Sequence, residues 1–195
     1  MKLRALIATL AALPLAACLS FGGKVPDTLL TLTPTAAIPA GTARVARDGT
    51  AVTVIPPTVP QELGVLRVPV HSSPTELAYL KDAQWVEPPN RLFRNLLAET
   101  IAVRTSHPVL DIRQSSLAPG IRVAGRLTNF GLDASSMVAV ITYDATLTRP
   151  NGAGVETRRF EAKVPVPEAK PAPVAAALNQ AANQVAQEVA DWIGG

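Results

Sequence analysis

The chain has a single cysteine in 195 residues, Cys18. No intramolecular disulfide can form, so the fold must rest on its core alone. Histidine is almost as scarce, with only His71 and His107. Without a second cysteine or a His-Glu-x-x-His pair, no metal site is expected. The Gly-x-x-x-x-Gly-Lys-Ser/Thr phosphate cradle is missing. Gly22-Gly23-Lys24 has neither its spacing nor a strand before it, so the chain is not expected to hydrolyse nucleotide itself. There is no Gly-x-Ser-x-Gly elbow. Ser72 follows His71, but adjacency in a turn does not make a dyad. His107, before Pro108, suits a helix end, where a cation is favoured by the macrodipole. Glu76, Glu87 and Glu99 are scattered and read as solvated positions. No catalytic residue is assigned, no cofactor is expected, and an enzyme is not expected.

Charge of one sign is also lacking. The formal charge is +3, and no Lys/Arg cluster interleaves with aromatics, so a nucleic-acid partner is not expected. Loss of residues 1–17 would remove Lys2 and Arg4, leaving sixteen basic against fifteen acidic side chains. A long hydrophobic run is missing too. Ala5 to Cys18 is apolar apart from Thr9 and Pro14, but a bilayer-spanning helix needs about 20 residues.

That run does fit the h-region of a signal peptide, with Lys2 and Arg4 as its basic n-region. It ends Leu15-Ala16-Ala17-Cys18. Small residues let a peptidase groove close around the backbone, and a cysteine directly after them matches the bacterial lipobox. Cleavage between Ala17 and Cys18 is expected, with lipidation of the Cys18 thiol. Two or more acyl chains hold a protein stably on a bilayer, whereas one binds marginally. The boundaries are a signal peptide at 1–17, a lipidated N-terminus and tether at 18–27, and one domain at 28–195.

The domain reads as α+β, an antiparallel or mixed sheet packed by two main helices at about 89–105 and 174–193. Thr28 to Thr33 is rich in strand formers and is expected to be the first strand. Ala43–Ala46 and Ala51–Ile55 are expected to be short strands around the turn Asp48-Gly49. Val65–Val70, Glu76–Leu80 and Val109–Ile112 follow as strands. Pro88-Pro89 opens the first helix, because proline suits a first turn whose N–H groups are unpaired anyway. Leu92, Phe93, Leu96, Leu97 and Ile101 give it one apolar face, and it should end near Ser106. Ile121, Val123, Gly125 and Leu127 alternate with polar residues. So do Met137, Ala139, Ile141, Tyr143, Ala145 and Leu147, and then Phe160, Ala162, Val164 and Val166. This is the half-solvated antiparallel pattern. Asn151-Gly152 marks a hairpin loop. Pro165 to Pro173 should be an extended connection. The last helix carries the stripe Val174, Leu178, Ala181, Val185, Val189 and Trp192, with Asn179 and Asn183 on its polar side.

Aromatics are few, 4% of residues, so their placement is informative. Tyr79, Trp85, Pro88 and Pro89 cluster ahead of the first helix, and Trp192 ends the second. Trp and Tyr suit places where one edge is apolar and the other wet. These five residues are candidates for a partner or lipid surface. The competing reading is structural, with Trp85 stapling the helix start to the sheet.

The ordered features together resemble the ABC-type transport auxiliary lipoprotein family, the accessory lipoproteins of MCE-type lipid transport systems. They are Ala16-Ala17-Cys18, Leu29-Leu30-Thr31-Leu32-Thr33-Pro34, Val65 to Pro69, Leu77 to Leu97, Ile121 to Leu132, Phe160 and Val189 to Ile193. The resemblance implies a non-enzymatic accessory beside an MCE-domain protein and an ABC permease and ATPase. It implies diacylglycerol plus an amide-linked acyl chain on Cys18, and is compatible with a bound phospholipid and with a homo-oligomer. Similar proteins kept in the inner membrane carry Asp after the cysteine. Leu19 therefore favours the periplasmic leaflet of the outer membrane. The alternative is a stand-alone lipid-binding or outer-membrane assembly lipoprotein, with an apolar cavity lined by residues such as Val140, Ile141 or Phe160.

Overall fold

A computed structural model describes residues 26–47, 49–150 and 154–194. The expected signal peptide, Cys18 and Leu19, the expected tether up to residue 25, and the turn residues Asp48, Asn151 and Gly152 lie outside the described residues.

The domain is a seven-stranded mixed sheet with two helices, an α+β fold. In chain order the elements are β1 (Val52–Val54), a 3-10 turn (Gln61–Leu63), β2 (Arg67–Ser73), β3 (Glu76–Gln84), α1 (Pro89–Thr105), β4 (Val109–Leu110), β5 (Ile121–Asp133), β6 (Val138–Thr148), β7 (Val155–Pro165) and α2 (Pro171–Gly194).

Strand β5 organises the sheet. One of its edges pairs antiparallel with β6 from Arg122↔Thr148 to Asp133↔Val138, and β6 pairs antiparallel with β7. Two strands share its other edge. Parallel β1 takes the start at Val52↔Ile121, and parallel β2 takes the end at Val70↔Leu132. Beyond them, β4 pairs parallel with β1 and β3 antiparallel with β2. A single bridge, Thr58↔Arg126, lies between the two.

The alternation of β5 changes phase once. Leu127 pairs with Tyr143 and Asn129 with Thr142, leaving Thr128 as the extra residue of a bulge. Ile121, Val123 and Leu127 are buried before it, and Phe130 and Leu132 after it. The bulge keeps both halves facing the helices. Earlier on the same strand, Gly125 has φ +153°, and a Cβ there would lie 2.1 Å from Asp144 O and 2.8 Å from the Tyr143 ring. Glycine leaves space for that ring, whose Oη donates to Ala124 O at 2.8 Å. Burial pushes the Tyr143 phenol up, well out of the physiological range.

Both helices pack on the same face. Phe93 of α1 meets Tyr143 edge-on at 5.2 Å, and Phe160 meets Trp192 of α2 at 5.6 Å. Helix α1 buries Leu92, Phe93, Leu96, Leu97 and Ile101, as expected, and ends at Ser106 in the left-handed conformation. Burying each such side chain contributes on the order of 2 kcal/mol. Helix α2 begins at Pro171, three residues earlier than expected. Pro171 and Pro173 fall in the first turn, where backbone N–H groups lack helical partners, so the prolines start the helix instead of delaying it. Its stripe is shifted by one residue at the end, with Ile193 buried and Trp192 half-buried.

Thr28 to Thr33 is not a strand. Only Leu30 forms a bridge, to Trp85. The chain then crosses the helices as an extended strap held by side chains. Thr33 N donates to Asn179 Oδ1 and Thr35 N to Asn183 Oδ1, each at 2.8 Å. Ile38 N donates to Glu99 Oε1 at 2.6 Å. Arg44 donates to Ala102 O and to His107 O. Residues 43–46 belong to this strap and are not a strand. Backbone groups there are satisfied by amides and a carboxylate from the helices, so no ladder partner is needed. Asn183, expected on the solvent side of α2, is buried beneath the strap.

Candidate interaction surface

The aromatic and proline cluster begins at the sheet edge. Trp85 N donates to Leu66 O at 2.7 Å, and its neighbours exchange bonds with the strap: Leu30 N to Gln84 O at 2.7 Å and Val86 N to Leu30 O at 2.9 Å. These bonds turn the Trp85 ring inward against Phe130, with centroids 5.5 Å apart and an edge-on geometry. Trp85 is wholly buried, and its Nε1 has no hydrogen-bond partner. Pro88 is the N-cap of α1, and its carbonyl accepts from Arg91 N at 2.9 Å. Pro89 is the first helical residue and is buried.

Trp85 and Pro89 therefore do not form part of an exposed platform. They staple the start of α1 to the sheet, because the strap covers the side they would otherwise expose. Tyr79, Pro88 and Trp192 remain half-buried. Tyr79 is covered by the Arg67 guanidinium at 4.3 Å from the ring centroid, a cation–π contact. Trp192 lies on α2 against Phe160, so the structure does not gather all five candidates at one site. The exposed apolar residues at the cluster are aliphatic neighbours of the aromatics. Leu29 and Val86 flank the Leu30–Trp85 bridge at 45% and 52% exposure, and Leu77 of β3 is 40% exposed. Strand β3 is also an edge of the sheet. Leu30, bridged to Trp85, joins the sheet at this same edge.

The other candidate positions are dispersed. His71 is on β2, in register with Asp133 of β5. His107 follows α1, and its carbonyl accepts from Arg44 at 3.2 Å. Among the described residues neither imidazole makes a hydrogen bond to a hydroxyl or a carboxylate. Glu99 is held by the strap, Glu76 opens β3, and Glu87 precedes α1, so the three carboxylates share no hollow. No group of three or more His, Cys, Asp or Glu is placed to hold a metal among the described residues.

A hollow of about 660 Å³ lies between the strap, α1 and β4. Its polar groups are already committed to the fold: Glu99 and Arg44 tie down the strap, and Arg94 Nε donates to Val54 O at 3.1 Å. Ile141 and Phe160 are packed in the core facing the helices, whereas Val140, the neighbour of Ile141 on β6, faces the other side of the sheet. The three do not line one apolar cavity. No described helix is long and apolar enough to cross a membrane.

Comparison with curated proteins gives no match. Two solved structures share the fold. A Xanthomonas campestris protein of the DUF330 family model is 23% identical, with TM-score 0.66, over 85% of this chain and 94% of that one. An uncharacterised protein is 16% identical, with TM-score 0.65, over 77% of this chain and 96% of that one. The family model for the ABC-type transport auxiliary lipoprotein component matches residues 30–190. That span runs from the strap residue that pairs with Trp85 almost to the end of α2, and the chain belongs to the ABC-type transport auxiliary lipoprotein component family.

Proposed function

We propose that the chain is a non-enzymatic accessory of an ABC-type transporter that moves lipid between membranes, working beside an MCE-domain protein. The observation that carries this reading is the family match over residues 30–190. The anchor is lipid on Cys18, after cleavage at Ala17. Eleven residues, and so twelve Cα–Cα steps, separate Cys18 from Leu30, where the chain joins the sheet edge. At roughly 3.5 Å per residue that tether spans at most about 40 Å. The domain is thereby confined near its membrane-bound partner, and confinement raises the effective concentration without any new contact. Leu19 after the acylated cysteine favours the periplasmic leaflet of the outer membrane.

Two experiments test the reading. Crosslinking in intact cells should recover the permease, the ATPase or an MCE-domain protein; recovery of none of them refutes the transport assignment. Mass spectrometry of the purified protein should find Cys18 as an acylated N-terminus, and Cys18→Ser should release the domain from the membrane fraction. Leu19→Asp should shift the protein toward the inner-membrane fraction.

A further inference from the structure

The sheet ends in three strands, β3, β4 and β7. Strand β4 has only two residues. Strand β3 is interrupted: Arg67↔Gln84 is followed by Pro69↔Tyr79, and Asp82, in the excess segment, has φ +55°. Short strands and bulges are how sheets close their edges. Strand β7 has neither device. It runs in unbroken register with β6 from Val155↔Thr148 to Pro165↔Val138, and it pairs with no other described strand.

The register fixes which backbone groups are left over. Val166 N donates to Met137 O at 2.8 Å, one step beyond the Pro165↔Val138 pair. Along an antiparallel ladder, residues alternate between bonding to the neighbouring strand and pointing away from it. The even-numbered residues of β7 therefore bond to β6. Val155, Thr157, Arg159, Glu161 and Lys163 aim their N–H and C=O groups outward, and all of them are exposed. Among the described residues nothing takes up these groups. Pro165 closes the row, where its missing N–H costs least.

We propose that β7 pairs antiparallel with β7 of a second copy of this chain, about a two-fold axis at Phe160. A two-fold that keeps the helices of both copies on one face centres the pairing on a residue. A centre at Arg158 or Arg159 sets guanidinium on guanidinium, and a centre at Glu161 sets carboxylate on carboxylate. Like charges directly opposite are destabilising. A centre at Ala162 leaves the start of β7 unpaired. Phe160 is the midpoint of the strand, so every residue from Val155 to Pro165 finds a partner. Arg159 then falls opposite Glu161 of the second copy and Thr157 opposite Lys163. Val155, 65% exposed, falls opposite Pro165. Arg159 is already bidentate on Asp144, and Glu161 already holds Lys163. The charges therefore select the register, and the backbone row supplies the bonds. On the helix face, Phe160 lies against half-buried Trp192 at 5.6 Å, so the same centre brings the two Phe160–Trp192 pairs to the axis. Matching about its own midpoint is a property a strand needs only toward itself, which is why the partner is a second copy. The pairing does not depend on the transport assignment.

The test uses the full chain in detergent micelles. Analytical ultracentrifugation should show a concentration-dependent dimer. Thr157→Cys and Lys163→Cys chains, mixed and oxidised, should form a disulfide, because paired Cα atoms lie about 5.5 Å apart. Either variant alone should form little, since its two cysteines lie roughly 20 Å apart along the paired strands. The unsubstituted chain controls for Cys18. Thr157→Pro removes an N–H that bonds to nothing in its own chain, so circular dichroism should be unchanged while dimerisation weakens at least about tenfold. If Thr157→Pro fails to fold, the mixed-cysteine result decides alone. Hydrogen exchange should show the odd-numbered amides of β7 gaining protection as the dimer forms. A monomer at every concentration overturns the proposal and leaves the edge to another protein's strand. Disulfide formation as strong from one variant as from the mixture, or an undisturbed dimer of folded Thr157→Pro, overturns it too.

Discussion

Asn183→Ala should loosen the strap and leave the sheet in place. Asn183 is 3% exposed and makes four hydrogen bonds. Its Oδ1 accepts from Thr35 N at 2.8 Å and from Thr35 Oγ1 at 3.1 Å, and its Nδ2 donates to Thr33 O at 3.0 Å and Asn179 O at 2.8 Å. Three of the four cross from α2 to the strap. A typical internal hydrogen bond contributes about 1 kcal/mol net, so the three set an upper limit near ~3 kcal/mol. Thr33 and Thr35 are themselves exposed, so water re-forms part of what the truncation removes. The expected cost is about 2 kcal/mol, and it falls on the strap because Val185, Val189 and Leu178 keep α2 packed on the sheet. Hydrogen exchange should show Thr35 N losing at least about tenfold in protection, since ~1.4 kcal/mol corresponds to that factor. Amides of β5 and β6 should keep most of theirs, because local opening and global unfolding are separate equilibria. Thr35 protection at its original value in a folded Asn183→Ala protein would refute this account of what fixes the strap. Asn179→Ala, which removes the single bond to Thr33 N, should produce a smaller change.

Gly125→Ala should destabilise the protein by about 3 kcal/mol or more, read from chemical denaturation, because a Cβ meets both Asp144 O and the Tyr143 ring and φ is positive. The control is Gly154→Ala, also at positive φ but in open space, which should cost only about 1 kcal/mol. The Asp133 carboxyl is held down to about 2 by hydrogen bonds from Ser135 and Ser136. A lowered folded-state value means stability that is present above the ordinary carboxylate range and lost as pH falls toward 2. A carboxyl NMR titration should place its midpoint near 2, and Asp133→Asn should flatten that part of the acid-stability curve. Tyr143→Phe removes the bond to Ala124 O while keeping the ring, and should cost about 1 kcal/mol in thermal or denaturant unfolding.

Local periodicity was enough for the elements that dominate the fold. The stripe on α1, the alternation of β5, β6 and β7 and the stripe on α2 are each written as residue spacing, and burial follows spacing wherever one face meets the core. The start of α1 was legible because Pro88-Pro89 acts through its own missing N–H groups. The lipobox is a linear motif, read by enzymes as extended chain, so its expectation needs no fold.

Tertiary structure decided what depends on distant partners. Thr28 to Thr33 has strand composition, yet Leu30 bonds to Gln84 and Val86 and Thr33 to Asn179 and Asn183, all far along the chain, so no local window could show a strap. The same contacts bury Asn183 on what reads as a polar helix face. Trp85 reads as a staple or as a platform until Leu30 and Leu66 fix which way its ring points. The bulge at Thr128 returns Phe130 and Leu132 to the face of the sheet that meets the helices. Register is a relation between strands, and no single strand contains it.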